Sequence, residues 1–203
     1  MAFSWEAVAC YLCGVKVLGI DPGTRLVGYA ILDMPEERGS EPSPSPIRNL
    51  VRPRFKSGCS RLGPLGVWKL GPRSGSIPMR LRELARLLRE QVRAVQPDVL
   101  AVESAFYGKS VSSALRLGEA RGVILLVAAE LELEIAEYPP ALIKRRVTGN
   151  GSASKESVAR ILQQEFGEAV AALPLDASDA LAIAWCHVQE QRSAGWKNLL
   201  GGG

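Results

Sequence analysis

The 203-residue sequence predicts an α/β protein, a mixed five-stranded sheet flanked by helices. Three observations predict it. Five apolar runs have the length of strands, at about 15–20, 26–32, 66–70, 98–104 and 135–138. Stretches with helical spacing follow the third and fourth runs, at about 79–95 and 110–131, and two more close the chain at 154–166 and 175–189. The first two runs are joined by a turn too short for a crossover, which makes them antiparallel, while runs separated by a helix return in parallel.

Taken in order, residues 1–14 fit no element and are expected to be an N-terminal extension, with translation starting at Val15. The first strand ends at Asp21. Pro22-Gly23-Thr24-Arg25 then forms a tight turn, in which proline fixes φ and glycine admits positive φ. Residues 34–66 crowd Pro, Ser and Gly and show little periodicity. Such a composition buries too little apolar surface to offset ordering entropy, and a flexible insertion is expected. From Pro42 to Arg82 there is no acidic residue and nine are basic, which suits either a solubilising loop or an arm that tracks DNA phosphates. In the 79–95 helix, Leu81, Leu84, Leu88, Val92 and Val95 form one apolar face, and Arg82, Arg86, Arg89 and Arg93 line another, solvated one. Pro97 ends that helix. Gly118 and Gly122 in the next helix suggest close approach of a neighbouring element. Ser152 or Ser154 can cap the 154–166 helix. Residues 193–203 read as a flexible tail.

Net charge is +4 with a pI near 9.0, a mildly basic balance that permits nucleic-acid binding. No apolar run approaches the roughly 18–20 residues that span a bilayer. No basic segment precedes an apolar one at the N-terminus, so a signal peptide is not expected. Cys10 and Cys13 form a lone CxxC without a second pair at zinc-site spacing, and a reduced, cytoplasmic protein is the default reading.

The carboxylates point to chemistry. Asp21 and Glu103 end apolar strands, and Asp176 and Asp179 stand three residues apart at the start of an apolar helix, which puts both on one face. Each alone could be solvated, or favoured by the helix dipole. Together, at the carboxyl ends of strands, they would repel one another unless protons or cations neutralise them. An all-oxygen set favours Mg²⁺ or Mn²⁺, and two such ions can activate a water and stabilise the leaving oxygen of a phosphodiester. His187 is the one histidine and reads as structural. Lys144, Arg145 and Arg146 form a basic run, and Lys155 follows a Gly-rich loop that lacks Walker spacing but opens a helix, where backbone N–H groups attract phosphate. Phe106 and Tyr107, just past Glu103, could stack on an unpaired base or pack in the core.

Four segments, VLGIDPGTRLVGYAIL, AVESAFYGKSVSSALRLGEARGV, EYPPALIKRRVTGNGSASKESV and LPLDASDALAIAWCH, resemble successive blocks of the RuvC family of Holliday-junction resolvases, in order, from about Val15 to His187. The resemblance implies an RNase H-like fold over 15–192, acting as a homodimer that makes paired symmetric nicks across a four-way DNA junction in recombination and repair. It places the family's metal-binding acidic quartet on Asp21, Glu103, Asp176 and Asp179, with two Mg²⁺ ions expected and Mn²⁺ able to substitute. It places the junction-contacting aromatic on Phe106 and the functional lysines on Lys144 and Lys155, with Arg145 and Arg146 as further DNA-contact candidates. The helix of Gly118 and Gly122 matches the dimer-forming region, and RuvA and RuvB are the implied partners. The departures are residues 1–14, the basic insertion and the Gly-rich end.

Three other readings stay open on sequence. An actin-like phosphotransferase shares the Asp-Pro-Gly-Thr loop, but no other Asp here is followed by x-Gly, as its second loop requires. A non-catalytic junction-binding protein would be expected to have lost one of the acids. A related nuclease acting on another branched DNA or on structured RNA would use the same metal chemistry.

Overall fold

The computed structural model describes residues 14–34, 60–72, 75–104 and 111–199, with side chains as far as residue 194. Phe106, Tyr107, Cys10, Cys13, Cys59 and most of the basic insertion lie outside the described residues.

Five strands, β1 (Val15–Asp21), β2 (Leu26–Met34), β3 (Arg61–Lys69), β4 (Val99–Glu103) and β5 (Glu134–Tyr138), form one sheet in the order β3-β2-β1-β4-β5. β1 pairs antiparallel with β2, and β2 with β3, whereas β1, β4 and β5 run parallel. This is the expected mixed sheet, and the helices between the parallel strands supply the crossovers. Gly23 serves the β1–β2 turn for a different reason from the one expected. It is not among the positive-φ residues; a Cβ there would stand 1.8 Å from the Leu26 carbonyl oxygen.

Side chains alternate across the sheet with the two-residue period of a strand. One face carries Leu18, Ile20, Val27, Leu100 and Val102, covered by α1 (Ile77–Val95) through Leu84, Leu88 and Val92 and by α2 (Val111–Glu130) through Ile124 and Val127. The other face carries Val17, Ala30, Leu32 and Ala101. It is covered by α6 (Leu175–Leu199), with α3 (Pro140–Thr148) and α4 (Lys155–Phe166) packed against that helix; α5 (Glu168–Ala171) is a single turn.

Four elements differ from expectation. β3 begins at Arg61, inside the expected insertion, because its partner β2 runs on to Met34 and supplies a ladder that weakly patterned residues can join. Residues 140–148 form a helix, not expected from the sequence. Pro140 occupies its first turn, Ile143 and Val147 form its buried stripe, and Gly149 closes it in the left-handed region. α6 continues to Leu199, into the expected tail. Gly118 and Gly122 have no close neighbour among the described residues, since a Cβ on either would meet nothing there within 4 Å.

Candidate active site

β1 and β4 are adjacent and parallel, so their carboxyl ends share one edge of the sheet. Ile20 pairs with Val102, and the next residues along the two strands are Asp21 and Glu103. The alternation that buries Val17 and Ala101 against α6 turns Asp21 and Glu103 to that same side. α6 begins at this edge, at Leu175, with Asp176 and Asp179 in its first turns. All four predicted carboxylates therefore meet at the point where the sheet edge faces the start of α6.

The electrostatics report the crowding. Asp21 is pushed up to about 7, first by burial, then by Asp179, Glu103 and Asp176, with Lys155 opposing. Glu103 is also raised, by burial and by Asp179, against Lys155 and Lys144. A carboxylate whose pKa is raised by burial and by neighbouring like charges is a site that favours a cation. Lys155 provides one: its ammonium bonds the Asp179 carboxylate, and the contact raises the lysine pKa. A cleft of about 290 Å³ opens beside the pair, with Glu103, Asp179, Lys144 and Lys155 in its wall and Ile143 and Val158 among its apolar lining. Among the described residues, no three His, Cys, Asp or Glu side chains are gathered into a ready-made metal cluster. The four acids act on one another through space, as an open oxygen-donor set.

The loop before Lys155 is built to place that lysine. Ser152 N–H donates to Asn150 Oδ1 at 3.0 Å, Asn150 N–H to Thr148 Oγ1 at 3.1 Å, and Ala153 N–H to the Asn150 carbonyl at 3.2 Å. These N–H groups are spent within the loop and fix its path into α4. Ser154, one of the two candidate caps, holds the start of α4 by accepting from Ser157 N–H. Of the basic run, Lys144 faces the cleft and Arg145 is exposed, but Arg146 is committed to Glu190 of α6. That ion pair ties α3 to α6. Phe106 falls outside the described residues. His187 is structural, as expected: it is buried in α6 and shares a 2.8 Å hydrogen bond with the Tyr138 hydroxyl.

Sequence reasoning missed two glycines, Gly19 and Gly28. A Cβ on Gly28 would lie 1.9 Å from the Asp176 carbonyl oxygen, and one on Gly19 would lie 2.3 Å from that of Ala180. Their signal was present, since glycine inside a strand marks close backbone approach.

A mixed sheet in this order, with carboxylates gathered at one strand edge under a terminal helix, places the chain in the RNase H-like class. The structure of RuvC from Thermus thermophilus superposes with a TM-score of 0.70 at 26% identity, covering 89% of this chain and 98% of that one. The yeast mitochondrial Holliday junction resolvase Ydc2 shares the fold at a TM-score of 0.60 and 13% identity, over 96% of this chain and 88% of that one. The RuvC family profile, described as crossover junction endodeoxyribonuclease RuvC, matches residues 59–187. Crossover junction endodeoxyribonucleases from Dehalococcoides mccartyi and Bacteroides fragilis are 40% and 35% identical to the chain, over 85% and 91% of its length and 92% and 91% of theirs. The chain belongs to the RuvC family. This membership disposes of the actin-like phosphotransferase reading. Among the described residues, no helix is long and apolar enough to cross a membrane.

Proposed function

We propose that the chain is a metal-dependent endonuclease that resolves four-way DNA junctions by paired, symmetric nicks, in recombination and repair. The observation that carries the reading is the convergence of Asp21, Glu103, Asp176 and Asp179 at one sheet edge, in a chain whose relatives are named crossover junction endodeoxyribonucleases.

The donor set fits hard divalent cations. It is all oxygen, its burial and like charges raise the Asp21 pKa to about 7, and it already draws one cation in Lys155. Asp21, Glu103, Asp176 and Asp179 would hold two Mg²⁺ ions, with Mn²⁺ as a substitute. Bound there, the ions supply an activated water and stabilise the departing 3′-oxygen of the phosphodiester. The chain's own groups do the rest. Lys144 and Lys155, from two helices that line the cleft, hold the phosphate and offset charge in the transition state. Arg145 tracks the backbone from the exposed side of α3. Phe106 is the candidate for stacking on an unpaired base at the junction centre.

Paired nicks require two sites, and α2 offers the surface. Val111, Leu115, Gly118, Gly122 and Leu126 recur at three- and four-residue spacing, with Val111 78% and Leu115 65% exposed, opposite the buried stripe of Ala120, Ile124 and Val127. Both glycines are open. A second copy fits this stripe, since the same helix on a two-fold-related chain presents the same apolar contour. The branch-migration proteins RuvA and RuvB are the expected partners.

The test is a synthetic immobile four-way junction containing varied central sequences, incubated with the protein and Mg²⁺ or Mn²⁺ beside a matching linear duplex. Paired nicks on opposing strands, lost with EDTA, are expected. Asp21→Asn is expected to abolish cleavage while leaving junction binding intact. Near-normal turnover by that variant would overturn the carboxylate assignment, and an uncut junction with either metal would move the activity to another substrate.

A further inference from the structure

Helix α6 covers one face of the sheet, and at two glycines of that face its backbone comes too close to admit a side chain. Gly19 lies in the middle of β1, beneath Ala180 and Ala184; a Cβ there would stand 2.3 Å from the Ala180 oxygen and 2.9 Å from the Ala184 Cβ. Gly28 lies in β2, directly across the antiparallel ladder from Asp21. A Cβ on Gly28 would stand 1.9 Å from the Asp176 oxygen, 2.5 Å from its carbonyl carbon and 3.2 Å from the Ala177 nitrogen. Residues 176, 180 and 184 are four apart, so one stripe of α6 lies along the sheet through both contacts, about 6 Å of helix rise between successive residues. The second contact is with the backbone of a carboxylate residue, and its ladder partner is another carboxylate residue.

We propose that Gly28 is a positioning residue for the reaction: its missing side chain sets how closely the Asp176 end of α6 approaches Asp21, and thereby the spacing of the donor set. The inference rests on the carboxylate reading given above. Gly28 is not in the left-handed region, so alanine meets no backbone strain there. The whole effect of a Cβ is steric, and its target is main chain, which has no rotamer with which to yield. The clash is relieved by lifting the first turn of α6 by roughly 1 Å or more, while the Gly19 seat and the apolar residues beyond it hold the rest of the helix; a displacement of that size at a reacting centre costs on the order of 10²-fold in rate. Asp179, one turn on and bonded to Lys155, moves less than Asp176. The two donors contributed by α6 are therefore tuned separately, Asp176 by a glycine beneath it and Asp179 by a lysine beside it.

The experiment compares the wild type with Gly28→Ala, Asp176→Asn, Asp176→Glu and the double variant Gly28→Ala/Asp176→Glu. Junction affinity is measured in EDTA, and cleavage rate as a function of Mg²⁺ concentration. Gly28→Ala is expected to bind the junction as the wild type does, to cut it about 10²-fold more slowly, and to need more Mg²⁺ for half-maximal rate. Asp176→Glu alone is expected to slow cleavage, since its carboxylate overshoots. In the Gly28→Ala background the same change is expected to restore rate, because one added methylene spans the gap opened by the lifted turn. A role in folding alone would give neither the Mg²⁺ shift nor this reversal of sign. Wild-type cleavage and Mg²⁺ dependence in Gly28→Ala overturn the inference. So does a Gly28→Ala chain that does not fold, or an Asp176→Glu change equally harmful in both backgrounds. Asp176→Asn separates the two levels: if it still cuts, the carboxylate reading fails, whatever Gly28 does.

Discussion

The start of α6 and its middle handle their polar groups in opposite ways. At the start, Asp176 and Asp179 face the same sheet edge as Asp21 and Glu103, and two ammonium groups, Lys155 and Lys144, offset part of the charge. Asp21 is left raised to about 7 by burial and like charges. Three turns further on, His187 is buried in the same helix, kept neutral by burial, and its Nδ1 is matched to the Tyr138 hydroxyl at 2.8 Å. Arg146 meets Glu190 beside it, and Phe166 packs edge-on against Trp185 at 5.3 Å between centroids. One helix therefore joins a repelling end to a satisfied one. A carboxylate set relaxed by its own chain would have little left with which to draw cations, so the apolar seat downstream must hold the repelling end in place.

The largest expected effect tests the repelling end. Lys155→Met removes the cation bonded to Asp179, and cleavage should fall about 10²-fold while junction binding weakens only slightly. A rate within a factor of two of wild type would make Lys155 a bystander that merely pairs with Asp179. The satisfied end should behave in the reverse sense. Tyr138→Phe leaves the His187 nitrogen buried without a partner, which should cost about 1–3 kcal/mol in denaturant unfolding and leave the cleavage rate unchanged. A large rate loss at full stability would show that the two ends are not separable.

Acidity distinguishes the ends as well. The folded pKa of Asp21 lies above the ordinary carboxylate range, so between that range and about pH 7 the folded state keeps a proton that the unfolded state has released. Its contribution to stability is fullest at low pH and is lost as pH rises towards 7. His187 is displaced downward by burial, so its contribution is present above the ordinary imidazole range and is lost as pH falls below it. In EDTA, the melting temperature of Asp21→Asn should therefore rise relative to wild type between pH 5 and pH 8, and Mg²⁺ should close the gap by stabilising the wild type. A difference independent of pH would deny the crowding. The smallest effect is at Arg146→Ala, expected to cost about 1 kcal/mol or less in stability because the pair with Glu190 is partly exposed. Its junction affinity in EDTA should stay near that of wild type, since this guanidinium serves α6.

Much of this arrangement was legible in the sequence. The run Val15 to Asp21 announces a strand that ends in a carboxylate, and Asp98 to Glu103 announces another; both are local patterns that survive any packing. Helical spacing located α1, α2, α4 and the start of α6, and placed Asp176 and Asp179 on one face. The helix at 140–148 was hidden behind Pro139-Pro140 and a basic run, because its two buried residues, Ile143 and Val147, show a period only once the rest of the face is known to be exposed. β3 was read five residues short, because its glycines and proline take strand geometry from the β2 ladder and have little preference of their own.

What the sequence determined by itself is therefore the candidate set: four acids, two lysines, and the strands and helix that carry them. The tertiary structure alone decided which groups meet. It joined Lys155 to Asp179, withdrew Arg146 into a pair with Glu190, left Gly118 and Gly122 facing outward, and brought the backbone of Asp176 down onto Gly28. The contacts among these join residues far apart in the chain, and the outward-facing glycines depend on how the helix that carries them packs. Local preference shapes an element along its own length, but the distance between two elements is set by the side chains, or the missing ones, that lie between them when they pack.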